Sequence, residues 1–226
     1  MERDLEALGS TSVWQETATL PEYPKLEASL STQIAIVGAG IAGMTTAYLL
    51  LKEGKEVVVL DDGPIAGGET GGTTAHLNSE LDDGYGELER LHGSEGLKLA
   101  SDSHAAAVDR IEAIIAEEGI DCDFERLESY LFVPPGEPPD FLDEELEAIT
   151  RAGITGVAKV ARAPLEGFDT GPSLRFQNQA QFHIFKYLAG LAEAITRMGG
   201  RIFSHSHVSE VKDGSPAQIT TREGHT

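Results

Sequence analysis

A chain of 226 residues with 40% hydrophobic side chains can bury a sizeable core in one or two domains, which excludes a disordered tail. Its net charge of −21, from 38 acids against 17 bases, disfavours nucleic acid and anionic membrane surfaces as partners, and no apolar run approaches the ~20 residues that span a bilayer. One cysteine, Cys122, excludes an internal disulfide and a cysteine-built metal site, and with an acidic N-terminus lacking a signal-peptide core it points to the cytoplasm.

Residues 1–30 contain Pro21 and Pro24 and no strong periodicity, so they read as an extended arm. An apolar, β-branched strand follows, Ile34 to Val37, and ends in Gly38-Ala39-Gly40-Ile41-Ala42-Gly43. A helical pattern comes next, and then a second apolar strand, Val57 to Leu60, closing on Asp61. Strand, glycines, helix, strand and acid in this order make a βαβ unit with dinucleotide-binding spacing. Gly38 permits the tight turn out of the strand, Gly40 lets a pyrophosphate come close to the backbone, and Gly43 lets the helix pack against the sheet. The free N–H groups and the positive end of the helix dipole then meet the phosphates. Asp61 is placed to accept hydrogen bonds from a ribose. With Asp62 beside it and no Arg or Lys there, the extra phosphate of NADP is repelled.

The next loop bears on which dinucleotide is bound. Gly67-Gly68-Glu69-Thr70-Gly71-Gly72-Thr73-Thr74-Ala75-His76 is long and rich in Gly and Thr, where an NAD domain usually moves quickly into another helix. Its backbone amides and hydroxyls suit the phosphates and ribityl chain of FAD. An NAD-dependent dehydrogenase with an elaborated nucleotide unit stays as the rival.

Beyond the loop, Leu97, Ala100, His104, Val108, Ile111 and Ile115 form one stripe of a helix predicted from Gly93 to Gly119. Cys122 to Val133 reads as a strand, interrupted beyond it by Pro134-Pro135-Gly136, and Phe141 to Ala152 as a short acidic helix. Residues 157–182 suggest short strands with turns at Pro164 and Gly171-Pro172. A second helix, Ile184 to Met198, ends at Gly199-Gly200, and strands return at Ile202 to Val211 and Gln218 to Thr221. The stretch Arg201–Val208 is expected to rejoin the first sheet. The last strand, with a hairpin-like turn at Glu223-Gly224, shows no partner, so the chain is expected to be the N-terminal piece of a longer enzyme.

The segments VGAGIAGMTTAYLL, VVVLDDGPIAGGETGGTTAHL, DCDFERLESYLF and RIFSHSHVSEV resemble the D-amino-acid oxidase/glycine oxidase superfamily of FAD-dependent oxidoreductases. The likeness runs from about Trp14 to the end and extends to bacterial members with a C-terminal Rieske iron–sulfur domain. It implies an α/β fold: a Rossmann-like FAD-binding domain of ββα three-layer type, interrupted by part of a mixed α+β substrate domain. The expected division is an arm (1–30), the first part of the FAD domain (31–120), a partial substrate or cap region (121–182) and a returning part of the FAD domain (183–226).

By the same likeness, Gly38, Gly40, Gly43 and the amides of Ala39, Ile41 and Ala42 match the pyrophosphate turn, and Asp61 matches the ribose-binding acid. Gly68, Thr73, Thr74 and Ala75 fall in the second flavin loop, and Val208 matches the residue whose backbone meets the adenine. The family's acid is more often Glu, so Asp61 has a shorter reach. The activity implied is hydride removal from a carbon–nitrogen bond of an amine or amino acid, giving an imine. The reduced flavin would pass its electrons to oxygen or to a Rieske two-iron cluster. No Cys-x-His and Cys-x-x-His pair occurs here, so that cluster would lie only in a C-terminal part beyond these residues. The isolated piece is expected to hold FAD weakly and to be inactive alone. A non-catalytic flavin-binding module is the remaining rival.

Several side chains invite a catalytic or metal-binding reading beside a structural one. His76 lies in GTTAH, similar to the segment where sarcosine and dimethylglycine dehydrogenases attach FAD covalently, and a structural role is favoured. His205 and His207 share a strand face and could chelate a metal, but no third ligand stands at useful spacing. His104 is favoured as a hydrogen-bonded core residue, and His183 as part of the second helix's N-terminal turn. Cys122 reads as a small core side chain. Arg175 could pair with a substrate carboxylate, although a structural ion pair is favoured, and Asp169 shares the ambiguity. No catalytic residue is assigned.

Overall fold

The computed structural model describes residues 11–80, 82–133 and 140–226; the expected interruption at Pro134-Pro135-Gly136 lies outside them. Contacts divide the chain into a first unit, running to Thr74 and taking in Ile115–Cys122 and His183–Thr226, and a second, Ala75–Ile114 with Asp123–Phe182.

In the first unit the arm is not wholly extended. A helical turn, α1 (Val13–Thr17), is closed by a capping box in which Ser12 and Gln15 bond each other's backbone amides. The chain then runs straight to the sheet, tied down by Leu26 N–H to Ser206 Oγ (2.9 Å) and Leu30 N–H to Thr226 O (2.9 Å). Strand β1 (Ile34–Val37), helix α2 (Ile41–Lys52) and β2 (Val57–Leu60) form the expected unit, with β1 and β2 parallel from Ile34↔Val57 to Val37↔Leu60. Helix α5 (Ile184–Arg197) leads into β7 (Arg201–Phe203), which joins β2 in parallel at Val59↔Ile202, giving the order β1-β2-β7.

Strand β2 is buried throughout because it has a strand on each side and a covered face above and below. Its side chains alternate, so Val58 and Leu60 share one face, where they cluster with Leu26 and meet Leu30, Phe203, Val208 and Ile219. Helix α5 buries Ile184, Leu188, Leu191 and Ile195 at three- and four-residue spacing, and α2 packs against it and against β2. Desolvation pushes the buried Tyr187 phenol up to about 12. Tyr48 on α2 is also fully buried and donates to Glu118 Oε1 (2.7 Å), and burial followed by that carboxylate holds its phenol above the ordinary range.

Two expectations fail at the return to the sheet. Arg201 to Val208 is not one strand: the ladder ends at Phe203, where Asp61 N–H takes the Phe203 carbonyl (2.9 Å), and His205 turns at φ 51°. Strand β9 (Gln218–Thr221) has a partner after all, since β8 (Val208–Lys212) pairs with it antiparallel from Val208↔Thr221 to Lys212↔Gln218.

The second unit is an antiparallel sheet built on β6 (Ser173–Gln181), which pairs with β3 (His76–Leu77), β4 (Glu125–Phe132) and β5 (Val157–Val160). Helices α3 (Tyr85–Glu118) and α4 (Asp140–Arg151) supply Tyr85, Leu97, Leu142, Ala148 and Ile149, which pack on Leu174 and Phe176. Helix α3 starts eight residues before the expected Gly93, where it is broken at φ 69°, ψ 171°. Its early start is held by Glu145, 3% exposed, whose carboxylate accepts from the amides of Tyr85 (2.5 Å) and Gly86 (2.9 Å). The helix buries Leu97, Ser101, Val108 and Ile114, and His104, expected in that stripe, is exposed instead.

Candidate dinucleotide site

The three fingerprint glycines are needed for three separate reasons. Gly38 leaves β1 at φ +106°, a conformation that favours glycine, with its N–H on Leu60 O (2.8 Å). Gly43 sits where α2 crosses the strand exit: a Cβ there would stand 1.9 Å from Gly38 O and 3.4 Å from Ile36 Cγ2. Gly40 is the N-cap of α2 and offers no side-chain cap, and a Cβ on it would meet Thr70 Oγ1 at 2.9 Å. The turn therefore presents main chain at a helix N-terminus, with the Thr70 hydroxyl seated against Gly40 and Ile41. The first-turn amides of Ala42 and Gly43 have no backbone acceptor among the described residues.

Two other amides of the turn are already engaged by the chain. Ala39 N–H donates to Asp61 Oδ2 (2.5 Å), and Ile41 N–H donates to Thr70 Oγ1 (3.2 Å). Asp61 also accepts from Gly63 N–H through Oδ1 (2.8 Å), and its carbonyl takes Ser206 N–H (2.6 Å). A carboxylate with about four lone-pair sites keeps acceptor capacity after two amide bonds. Asp61 thus lies against the glycine turn, with oxygens left for a sugar hydroxyl. Main chain at a helix N-terminus, unfilled helical amides and an adjoining carboxylate fit the ADP portion of a dinucleotide.

The second glycine loop is fastened back onto this turn. Ala66 N–H reaches Ala39 O (3.2 Å), and a 3₁₀ turn spans Glu69–Gly72. A Cβ on Gly71 would stand 2.7 Å from Ala66 O, so the loop doubles tightly on itself. Gly68 caps that turn in open space, and Thr73 and Thr74 are exposed. The Thr73 carbonyl accepts from Trp14 Nε1 at 2.7 Å. Thr70 and Trp14 were both missed by sequence reasoning; only the Ser12-x-x-Gln15 spacing could have flagged the helix that carries Trp14. Ala75 is buried at φ 57°, and His76 is exposed and pairs with Gln181 at the start of the second unit.

Of the remaining candidates, Val208 is half-buried and opens β8. Asp62 is exposed and lies 3.4 Å from His207 Nδ1. His205 and His207 do not share a strand face, because neither is in a strand, so the chelating-pair idea lapses. His183 caps α5 as expected, accepting from Lys186 N–H (3.4 Å). Cys122 is buried. Arg175 lies 3.5 Å from Glu128, which also accepts from Tyr130 OH (2.7 Å), a structural pairing on the sheet. Asp169 accepts from Gly171 N–H (3.1 Å) and serves a turn.

Residues 33–226 match the DAO family, described as FAD dependent oxidoreductase. The chain belongs to this family. Its cofactor is therefore FAD, and the nicotinamide alternative gives way. A Bacillus subtilis relative, YhfW, named for a Rieske 2Fe-2S iron–sulfur centre, is 32% identical over 213 residues, covering 94% of this chain and 41% of that protein. Gamma-glutamylputrescine oxidoreductase of Escherichia coli is 24% identical, covering 89% of this chain and 48% of its own length. Among solved structures, L-amino acid deaminase of Proteus myxofaciens superposes with TM-score 0.71 at 18% identity, over 95% of this chain and 47% of that one. Glycine oxidase of Geobacillus kaustophilus gives 0.65 at 18% identity, over 85% and 52%. At these identities the structural matches establish the DAO-type FAD-binding fold. The chain spans about half the length of these relatives, or less.

Proposed function

We propose that these residues form the nucleotide-binding part of an oxidoreductase that removes a hydride from a carbon–nitrogen bond of a small amine or amino acid. The observation that carries the reading is the glycine turn from Gly38 to Gly43, with Asp61 bonded to it through Ala39. FAD, when bound, supplies the two-electron acceptor for that hydride, leaving an imine. The chain's own residues bind and orient. The Ala42 and Gly43 amides and the α2 dipole would face the diphosphate, and Gly40 adds no side chain of its own to the turn. Asp61 would accept from a ribose hydroxyl. Gly68, Thr73 and Thr74 offer an amide and two hydroxyls to the phosphates or ribityl chain, and the Val208 backbone would meet the adenine.

The substrate class is supported by three of the relatives, gamma-glutamylputrescine oxidoreductase, L-amino acid deaminase and glycine oxidase, whose names denote amino-group compounds or amino acids. A Rieske two-iron cluster, if present in the complete protein, would lie outside these residues, which hold one cysteine. That single cysteine also suits a reducing compartment, and we place the protein in the cytoplasm. Among the described residues no helix is long and apolar enough to cross a membrane.

The test is anaerobic mixing of the full-length flavoprotein with a panel of amines and amino acids. Loss of the oxidised flavin band with at least one of them, and recovery of an imine-derived carbonyl product, is the expected result. Bound flavin that no amine reduces would favour a non-catalytic flavin module. Flavin retained after acid precipitation would revive the covalent role of His76.

A further inference from the structure

The short helix α1 buries none of its residues, so its place in the fold is not explained by the core. A five-residue helix is also far too short to persist on its own, and its contacts must hold it in place. Those contacts reach two elements, the second glycine loop and the start of α5. Trp14 donates its indole N–H to the carbonyl of Thr73, the last residues of the second glycine loop, at 2.7 Å. Its ring stands edge-on to His183 with centroids 5.0 Å apart. Thr17 Oγ1 lies 2.9 Å from His183 Nε2 and gives its own proton to Val13 O (2.5 Å), so the ring supplies the shared proton. His183 Nδ1 is then the acceptor for Lys186 N–H (3.4 Å), and its backbone N–H is fixed on Cys122 O (2.7 Å). Helix α1 is therefore seated on the capped end of α5.

The loop it holds is expensive to order. Gly67, Gly68, Gly71 and Gly72 fall within six residues, and glycine loses more backbone freedom on ordering than any other residue. Its fastenings include Ala66 N–H to Ala39 O (3.2 Å), Ile41 N–H to Thr70 Oγ1 (3.2 Å), and Trp14 Nε1–H to Thr73 O (2.7 Å). The first two come from the nucleotide turn itself. The third comes from outside the βαβ unit, from the arm that carries α1.

We propose that Trp14 is a positioning residue for the dinucleotide site, with α1 acting as a clasp on the second glycine loop that slows escape of the bound cofactor. The inference rests on the FAD reading above. The experiment uses the full-length protein, stripped of flavin and retitrated with FAD. Trp14→Phe keeps an aromatic ring against His183 and removes the N–H. The variant is expected to bind FAD about threefold to tenfold more weakly, mostly through faster release, the size of one lost hydrogen bond. The melting temperature of its apo form should stay within about 2 °C of wild type. Hydrogen exchange at the Gly71–Thr74 amides of the apo protein should quicken, a readout that survives even if the variant retains no flavin. Glu16→Ala, an exposed change on the same helix, should alter none of these. Unchanged affinity in Trp14→Phe overturns the proposal. So does an affinity loss matched by a general drop in apo melting temperature with no local change in exchange, because that describes a fold stabiliser. Wild-type protein that takes up no FAD would instead sink the cofactor reading, a separate failure.

Discussion

Replacing Gly43 by alanine isolates the packing demand of the nucleotide turn from ordinary helix preference. Helix propensity alone predicts that alanine inside α2 stabilises the protein by about 1 kcal/mol. The geometry predicts the opposite sign. The added Cβ would stand 1.9 Å from Gly38 O and 3.1 Å from Gly38 C, both backbone atoms that cannot rotate away. Restoring ordinary contact requires α2 and the strand exit to part by more than about 1 Å, the kind of overpacking that costs about 1–3 kcal/mol or more in a packed core. A 1.9 Å approach to a backbone oxygen puts the cost at the upper end of that range, so about 2 kcal/mol of net destabilisation remains after the propensity gain, a fall in melting temperature of roughly 4–8 °C for a chain of this size. Because the displaced amides are those offered to the diphosphate, FAD affinity should fall as well. Gly68→Ala is the control for stability alone, since nothing lies within 4 Å of its Cβ and its φ is −95°. Differential scanning fluorimetry of the apo protein with FAD titration reads both quantities. A Gly43→Ala protein as stable as wild type, or more stable, would refute the packing argument.

Asp61→Asn keeps the shape but removes the charge that receives the Ala39 and Gly63 amides, so FAD affinity should fall about tenfold or more by fluorescence titration. Glu145→Ala leaves the buried amides of Tyr85 and Gly86 without their acceptor, and denaturant melts should show a loss of about 2–4 kcal/mol. Glu80 is held above the ordinary carboxylate range by burial first, then by Asp82 and Glu145. An acid whose folded value is raised favours the fold most when protonated, and this contribution is lost as pH rises from the ordinary carboxylate range through the raised value. Glu80→Gln should therefore stabilise the protein at neutral pH, with the gain vanishing in acid melts below the ordinary carboxylate range.

Much of the nucleotide unit was readable because each signal there is local. β-branched runs at Ile34–Val37 and Val57–Leu60 became strands with those bounds, and Gly38 and Gly43 occupy a positive-φ turn and a close crossing. Errors arose where a distant residue decides. The start of α3 at Tyr85 depends on Glu145, an acid from α4 whose role no local pattern announces. His104 has stripe spacing yet lies exposed, since periodicity gives a face and not the depth to which it is covered. Strand β9 has no partner in the sequence pattern, where HSHVSEV runs on from β7, whereas the chain turns at His205 and starts a separate hairpin. Around the glycine turn, the place of Asp61 after β2 is legible in the sequence, but its bond to Ala39 and the intervention of Thr70 are tertiary facts. Trp14 stands 59 residues from the carbonyl it holds, beyond the range of any motif.

A crystal structure of the full-length protein grown with FAD would test the seating of the cofactor most directly. The ADP diphosphate should lie within hydrogen-bond reach of the Ala42 and Gly43 amides, with a ribose hydroxyl on the Asp61 carboxylate. Density for the diphosphate away from that turn, or an Asp61 carboxylate making no sugar contact, would contradict the account.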